Sequence, residues 1–319
     1  MLSRVAENLY WLGRYLERAD NVARLADVNV QATTEMTPAG GGQAWDAVIA
    51  TLGAAEEYEA ALEERPDLNP IDFVIYSTAY AQSLRSTVAA ARGIAREVRE
   101  HISREVFEEI NRLYLGTNRG GTDEASLRTF YATVKRAVAA ILGLFDNTVL
   151  MTEGREWFHC GLFLERAEMT SRIMDAKYFI ILPVPEDVGG PRDRYQWMAV
   201  LRSASALEAY RKQDYGPVTG PRVADLLMFD PDFPRSLVYC VSELHRHYDR
   251  ATEHTPPVRS VHAAREITLL ELDLRAADAR NVIRSGLHQF FDEFQGRLGA
   301  IDNALRTHIF QALPEEPTR

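Results

Sequence analysis

The chain has 319 residues, 36 of them basic and 46 acidic, for a formal charge of −10. At 46% apolar and 26% charged residues it can bury a substantial core, and disorder or fibre is disfavoured. The acidic balance argues against a general nucleic-acid binder, and the two cysteines, Cys160 and Cys240, exclude a disulfide scaffold or a multi-cysteine zinc site.

Leu2, Val5, Leu9, Leu12, Leu16, Ala19, Ala23, Ala26 and Val30 step by threes and fours, which predicts one long helix with Ser3 as its N-cap. Pro38 and Gly40-Gly41-Gly42 are expected to end it. A shorter helix is expected from Trp45 towards Pro66, then a long one over 79–115, broken by the glycine-rich segment 116–121. Thr122 or Asp123 is placed to cap the next helix, through Leu150. The second half reads as helices over 155–181, 194–211, 222–228, 235–253, 260–283 and 287–313. Pro183, Pro185, Gly189, Gly190 and Pro191 form a linker after the first of these.

No alternating strand pattern is sustained, and the strand-like run over 179–184 is too isolated to build a sheet. The fold class is therefore all-α. No apolar stretch approaches the ~20 residues that a membrane helix needs. The charged, periodic N-terminus does not read as a secretory leader, so the expected location is cytoplasmic, with no membrane partner.

An internal repeat is the strongest signal. Shifting the sequence by 148 positions aligns Leu9–Asp27 with Trp157–Asp175. It matches Gly13/Gly161, Leu16/Leu164, Glu17/Glu165, Arg18/Arg166, Ala19/Ala167, Arg24/Arg172 and Asp27/Asp175. WDAVI at Trp45 resembles WMAVL at Trp197. DFVIY at Asp72 resembles DLLMF at Asp225, and each is followed at the same spacing by Ser-Leu (Ser83-Leu84, Ser236-Leu237). The expected architecture is a duplicated helical bundle, with residues 1–150 and 151–319 as two repeats packed as one domain about a pseudo-twofold axis.

The repeated residues form a stripe beside the apolar seam. It runs Gly13, Glu17, Asp20, Arg24, Asp27 in the first half and Gly161, Glu165, Glu168, Arg172, Asp175 in the second. Partly buried charges must be paired. The simplest expectation is reciprocal, with the acids of one helix meeting Arg24 or Arg172 of the other. Arg18 and Arg166 point elsewhere on the helical wheel and are expected to find different partners.

The segments NLYWLGRYLERADNVARLADV and GLFLERAEMTSRIMD resemble the signature segments of the alpha-E family, an all-helical bacterial domain named for its Glu-Arg motif. The resemblance spans essentially the whole chain. It implies association with a circularly permuted ATP-grasp ligase, often beside transglutaminase-like and Ntn-hydrolase-like proteins, in peptide synthesis or modification. It supplies no catalytic residues.

Two readings of the stripes follow from the residues themselves. Glu17, Arg18, Asp20, Arg24, Asp27, Glu165, Arg166, Glu168, Arg172 and Asp175 form either a core ion-pair network or a cleft that clamps a carboxylate or phosphate. With the association that the resemblance implies, the expected function is an accessory or substrate-presenting partner of the ligase. The alternatives are an enzyme using the paired acids, or a purely structural interaction module. Six carboxylates on two helices could also hold a divalent ion, although the interleaved arginines oppose it, and no cofactor is expected. His245 and His247 diverge on a helix and are expected at the surface or as caps, and Cys160 is expected to be a buried thiol. The glycine runs lack a P-loop ending, so nucleotide chemistry is assigned to the partner.

Overall fold

A computed structural model of the chain describes residues 1–35, 41–117, 123–180, 190–213 and 216–311. In the first half these form α1 (Ser3–Glu35), α2 (Gly41–Thr51), α3 (Ala55–Glu64), a π-helical turn (Asp72–Tyr76), α4 (Leu84–Glu97), α5 (Arg104–Gly116) and α6 (Glu124–Thr148). In the second they form α7 (Glu153–Ile180), α8 (Pro191–Ser203), α9 (Leu207–Lys212), α10 (Gly220–Ala224) and a π-helical turn (Asp225–Phe229). There follow α11 (Leu237–Ala251), α12 (Pro257–Ala276), α13 (Ala279–Ser285) and α14 (Leu287–Ala304), which runs into a last π-helical turn (Leu305–Phe310). No strand occurs among the described residues, so the fold is all-α.

The two longest helices lie at the centre. The apolar seam of α1 is buried from Leu9 to Val30, but so are Tyr10, Glu17, Asp20 and Asn21 on other faces. A helix buried on most sides needs neighbours all round it. α1 packs on α7, α4 and α6, while α7 packs on α1, α11 and α14. α5 contacts both α4 and α6, and α12 contacts both α11 and α14. α2 and α8 each touch both central helices.

Local chemistry sets most boundaries. Ser83, Ser103, Asp123, Ser236 and Asp278 each accept a hydrogen bond from the backbone N–H three residues on, capping α4, α5, α6, α11 and α13. The hydroxyls of Ser83 and Ser236 also donate backwards, to the carbonyls of Ser77 (2.5 Å) and Asp230 (2.6 Å). Each therefore fastens a π-helical turn to the helix after it, which is the structural content of the two Ser-Leu matches.

Several expected helices are divided. The stretch 79–115 is two helices, separated by a 3-10 turn at Arg99–His101 and restarted by the Ser103 cap. The stretch 194–211 breaks at Ser205, and 260–283 breaks at the Asp278 cap. No glycine or proline marks these breaks, so periodicity runs through them. Ser3 is the first helical residue rather than the cap, and Gly41 and Gly42 lie inside α2 rather than ending α1. Pro38, Gly40, residues 118–122, Pro183, Pro185, Gly189 and Leu313 lie outside the described residues.

Candidate functional site

α1 and α7 cross backbone to backbone. A Cβ on Gly13 would stand 2.1 Å from the carbonyl oxygen of Phe158, and a Cβ on Gly161 would stand 1.9 Å from that of Tyr10. Tyr10 and Phe158 are themselves a matched pair, so the close approach is reciprocal. Only glycine permits it, and it brings the next turn of each helix within side-chain reach of the other.

On that next turn sit the two Glu-Arg pairs. Arg166 clasps Glu17 with both Nε (3.0 Å to Oε1) and Nη2 (2.8 Å to Oε2). Arg18 clasps Glu165 in the same way, from Nε (2.6 Å) and Nη2 (2.8 Å). Each carboxylate also takes a second arginine: Arg235 Nη1 on Glu17 (2.9 Å) and Arg14 Nε on Glu165 (2.8 Å). Glu17 is 0% and Glu165 3% exposed. Burial pushes each carboxyl up, but the paired guanidinium groups outweigh it, so both are lowered to about 2. Arg14, Arg18 and Arg166 are raised correspondingly, against their own desolvation, by the same carboxylates.

The network extends outward on both sides. Arg235 also donates to Asn21 and Asp20 (both 2.8 Å), and Asp20 Oδ2 takes Arg24 Nε at 2.6 Å. Arg14 reaches Glu168 (2.6 Å) and Asp302 (2.8 Å), Asp302 accepts the Tyr10 hydroxyl (2.5 Å), and Glu168 holds Arg172 (2.9 Å). Eight of the ten candidate residues thus join two matching assemblies, four in each, one centred on Glu17 and the other on Glu165. Asp27 and Asp175 do not. Asp27 is bound by Lys135 at 2.6 Å, and Asp175 meets His288 at 2.9 Å.

The expected pairing is corrected in its arginines. The cross-helix partners are Arg18 and Arg166, while Arg24 and Arg172 bind acids of their own helix, Asp20 and Glu168. The glycine contact brings the helices so close that the long arginine next to each glutamate reaches across, whichever way its Cβ leaves the wheel. Reasoning from repeats missed Arg14, Arg235, Asn21 and Asp302. Arg14 is matched by Leu162 and Arg235 by Gln82, so neither is a repeated residue.

Other candidates resolve differently. His247 is buried rather than at the surface. It stacks on His159 at 4.5 Å, and its Nδ1 meets Glu156 Oε2 at 2.6 Å. Arg246 Nη2 lies 2.9 Å from its Nε2, so Nε2 is the acceptor and Nδ1–H the donor to Glu156. Burial, His159 and Arg246 lower His247 to about 3. His245 is part-buried on Glu271 at 2.5 Å. Cys160 and Cys240 are buried, and burial pushes both thiols up, Cys240 to about 12. Four of the six stripe carboxylates carry arginines, which leaves them poor cation ligands. Asp175, His288 and Asp292 have donor atoms within 4.8 Å of one another, close enough to share a metal ion.

The crossing itself is almost closed, with a cavity of about 20 Å³ beside Arg18, Glu165 and Arg172. Two larger clefts lie away from it. One of about 720 Å³ is lined by Glu153, Glu156, Arg250 and Arg259, and one of about 390 Å³ by Arg24, Lys135, Arg202 and Ser205. No described helix is long and apolar enough to cross a membrane.

The alpha-E family, described as a predicted alpha-helical domain with a conserved ER motif, matches residues 1–310. Uncharacterized proteins of Mycobacterium bovis and Mycobacterium tuberculosis are 24% identical over 268 residues, covering 76% of this chain but 29% of theirs. The chain thus corresponds to under a third of the length of these relatives. No solved structure matches it. With the match running over nearly its whole length, and two Glu-Arg pairs clasped at the centre of its packing, the chain belongs to the alpha-E family.

Proposed function

We propose that this chain is an accessory, substrate-presenting helical domain for an ATP-grasp-type peptide ligase or peptide-modification system, with the Glu-Arg motif as its internal clamp. The observation that carries this reading is the saturation of the motif. Both carboxylates are doubly bound by arginine, buried and ionised, so each is spent on holding α1 to α7. A carboxyl lowered to about 2 has no proton to give near neutral pH, which makes the paired acids poor general acids. Recognition then falls to the outer clefts and the helical surface.

Two further observations support the reading. The mycobacterial relatives carry the matched region as a minority of a longer chain, the arrangement expected of a module that works beside another domain. The matching neighbours of α1 and α7, and the matching Ser83 and Ser236 caps, are what a duplicated unit would produce. A duplicated scaffold offers two related faces to its partners.

The test is co-purification of the full chain with a circularly permuted ATP-grasp protein, followed by ATP turnover with and without this chain. A stoichiometric complex and a change in peptide-dependent turnover are expected. Separate elution with unchanged turnover would overturn the accessory role. Transglutaminase-like and Ntn-hydrolase-like proteins are the next candidates for the same assay.

A further inference from the structure

Ser205 is the one non-glycine residue with a left-handed backbone among the described residues, at φ 54°. It ends the α8 turn. The matching turn, after α2, has Gly53 at φ 66°, and a Cβ there would lie 2.5 Å from Arg172 Nη1. The two turns therefore face matched arginines, Gly53 against Arg172 and Ser205 against Arg24. Glycine is the unstrained choice at such a position, and the second turn carries a serine despite the conformational cost. Its hydroxyl accepts a hydrogen bond from Arg24 Nη1 at 2.6 Å, which leaves the hydroxyl proton free to donate.

That hydroxyl opens on the 390 Å³ cleft. Arg202 lines the same cleft, half-buried, and its guanidinium has no partner among the described residues. Arg24 is oriented from behind by Asp20 at Nε (2.6 Å), and its Nη2 edge is unused. Lys135 is tied to Asp27, and Glu208 pairs with Arg211 at 3.0 Å, so the uncompensated charge of the cleft is that of Arg202. Val28 and Leu207 supply an apolar wall.

We propose that this cleft is an oxyanion site, in which Arg202, the Arg24 Nη2 edge and the Ser205 hydroxyl converge on a carboxylate or phosphate. Planar guanidinium groups suit both anions, and the cleft volume accommodates a ligand of about dipeptide size. Asp20 links the site to the central clamp, because its Oδ2 joins Arg24 to Arg235 and so to Glu17. This site stands apart from any ligase partner and is tested on this chain alone.

The experiment is an amide NMR titration of the full chain with inorganic phosphate, with N-acetyl-dialanine and with the amide of the same dipeptide, at matched ionic strength. Saturable shifts over residues 202–208 are expected for phosphate or for the free dipeptide, but not for its amide. Saturation by the dipeptide alone assigns a peptide carboxylate, and saturation by phosphate alone assigns a phosphoryl ligand. In Arg202→Gln the same titration is expected to weaken about tenfold or more, as loss of a charge-assisted pair requires. Ser205→Gly, which suits the turn and keeps the fold, is expected to bind more weakly than the parent. No saturation by either anion, or undiminished binding in Arg202→Gln, would overturn the proposal.

Discussion

Glu17 and Glu165 hold matching places on α1 and α7, and each is clasped by the arginine beside the other. Their second arginines come from unrelated places. Glu165 takes Arg14 from α1 itself, where α7 has Leu162, while Glu17 takes Arg235 from the turn before α11, where the first half has Gln82. A buried carboxylate must be neutralised and its lone pairs filled, and physical chemistry does not specify by whom. The first contact, fixed by the glycine crossing, is therefore shared by the two halves, and the second comes from a different element in each.

Removing a clamp carboxylate disturbs the two matched halves most severely. Glu17→Gln and Glu165→Gln are each expected to destabilise by about 3–5 kcal/mol, because a pair of buried arginines loses its counter-charge. Denaturant unfolding should give nearly equal costs, and a large inequality would mean that the halves are not equivalent. Next comes the crossing. Gly161→Ala sets a methyl against the rigid carbonyl of Tyr10 and is expected to cost about 3 kcal/mol, at the upper end for overpacking. By calorimetry that is roughly 4–5 °C in Tm for a chain of 319 residues.

Acidification separates the clamp from the histidine cluster. His247 is held neutral, with its folded pKa lowered to about 3, so the unfolded chain binds the extra proton. Stability should fall as pH drops below about 6.5, and this contribution levels off near pH 3. For Glu17 and Glu165, also lowered, stability is present above about pH 4.5 and lost as pH falls towards 2. In His247→Gln the first loss should vanish and the second persist, as read by Tm against pH. An unaltered slope between pH 6.5 and 4.5 would contradict the assignment. The smallest effect concerns the two turns. Ser205→Gly should raise stability by about 0.5–1 kcal/mol, and Gly53→Ser should lower it.

Much of this fold was legible in the sequence. Heptad spacing locates α1, and the 148-residue shift picks out Gly13, Glu17 and Arg18 with their counterparts from the sequence alone. The division of 79–115 was not legible, because Ser103 is an ordinary residue until it caps. Nor was the arginine pairing. Helical-wheel reasoning treats neighbouring helices as cylinders a normal distance apart, and the crossing at Gly13 and Gly161 shortens that distance. His247 was misplaced because two histidines in a charged string read as surface, while its burial depends on Glu156 and His159 from a distant helix. Arg235 and Asp302 are long-range partners that no periodicity reports.

The Glu-Arg motif is an interhelical clamp. A double-mutant cycle on Glu17→Gln and Arg166→Met, read by denaturant unfolding, tests it most directly. A coupling of about 1.5–3 kcal/mol is expected, with the double variant little worse than Glu17→Gln alone. Additive costs within about 0.5 kcal/mol, or single variants as stable as the parent, would contradict it.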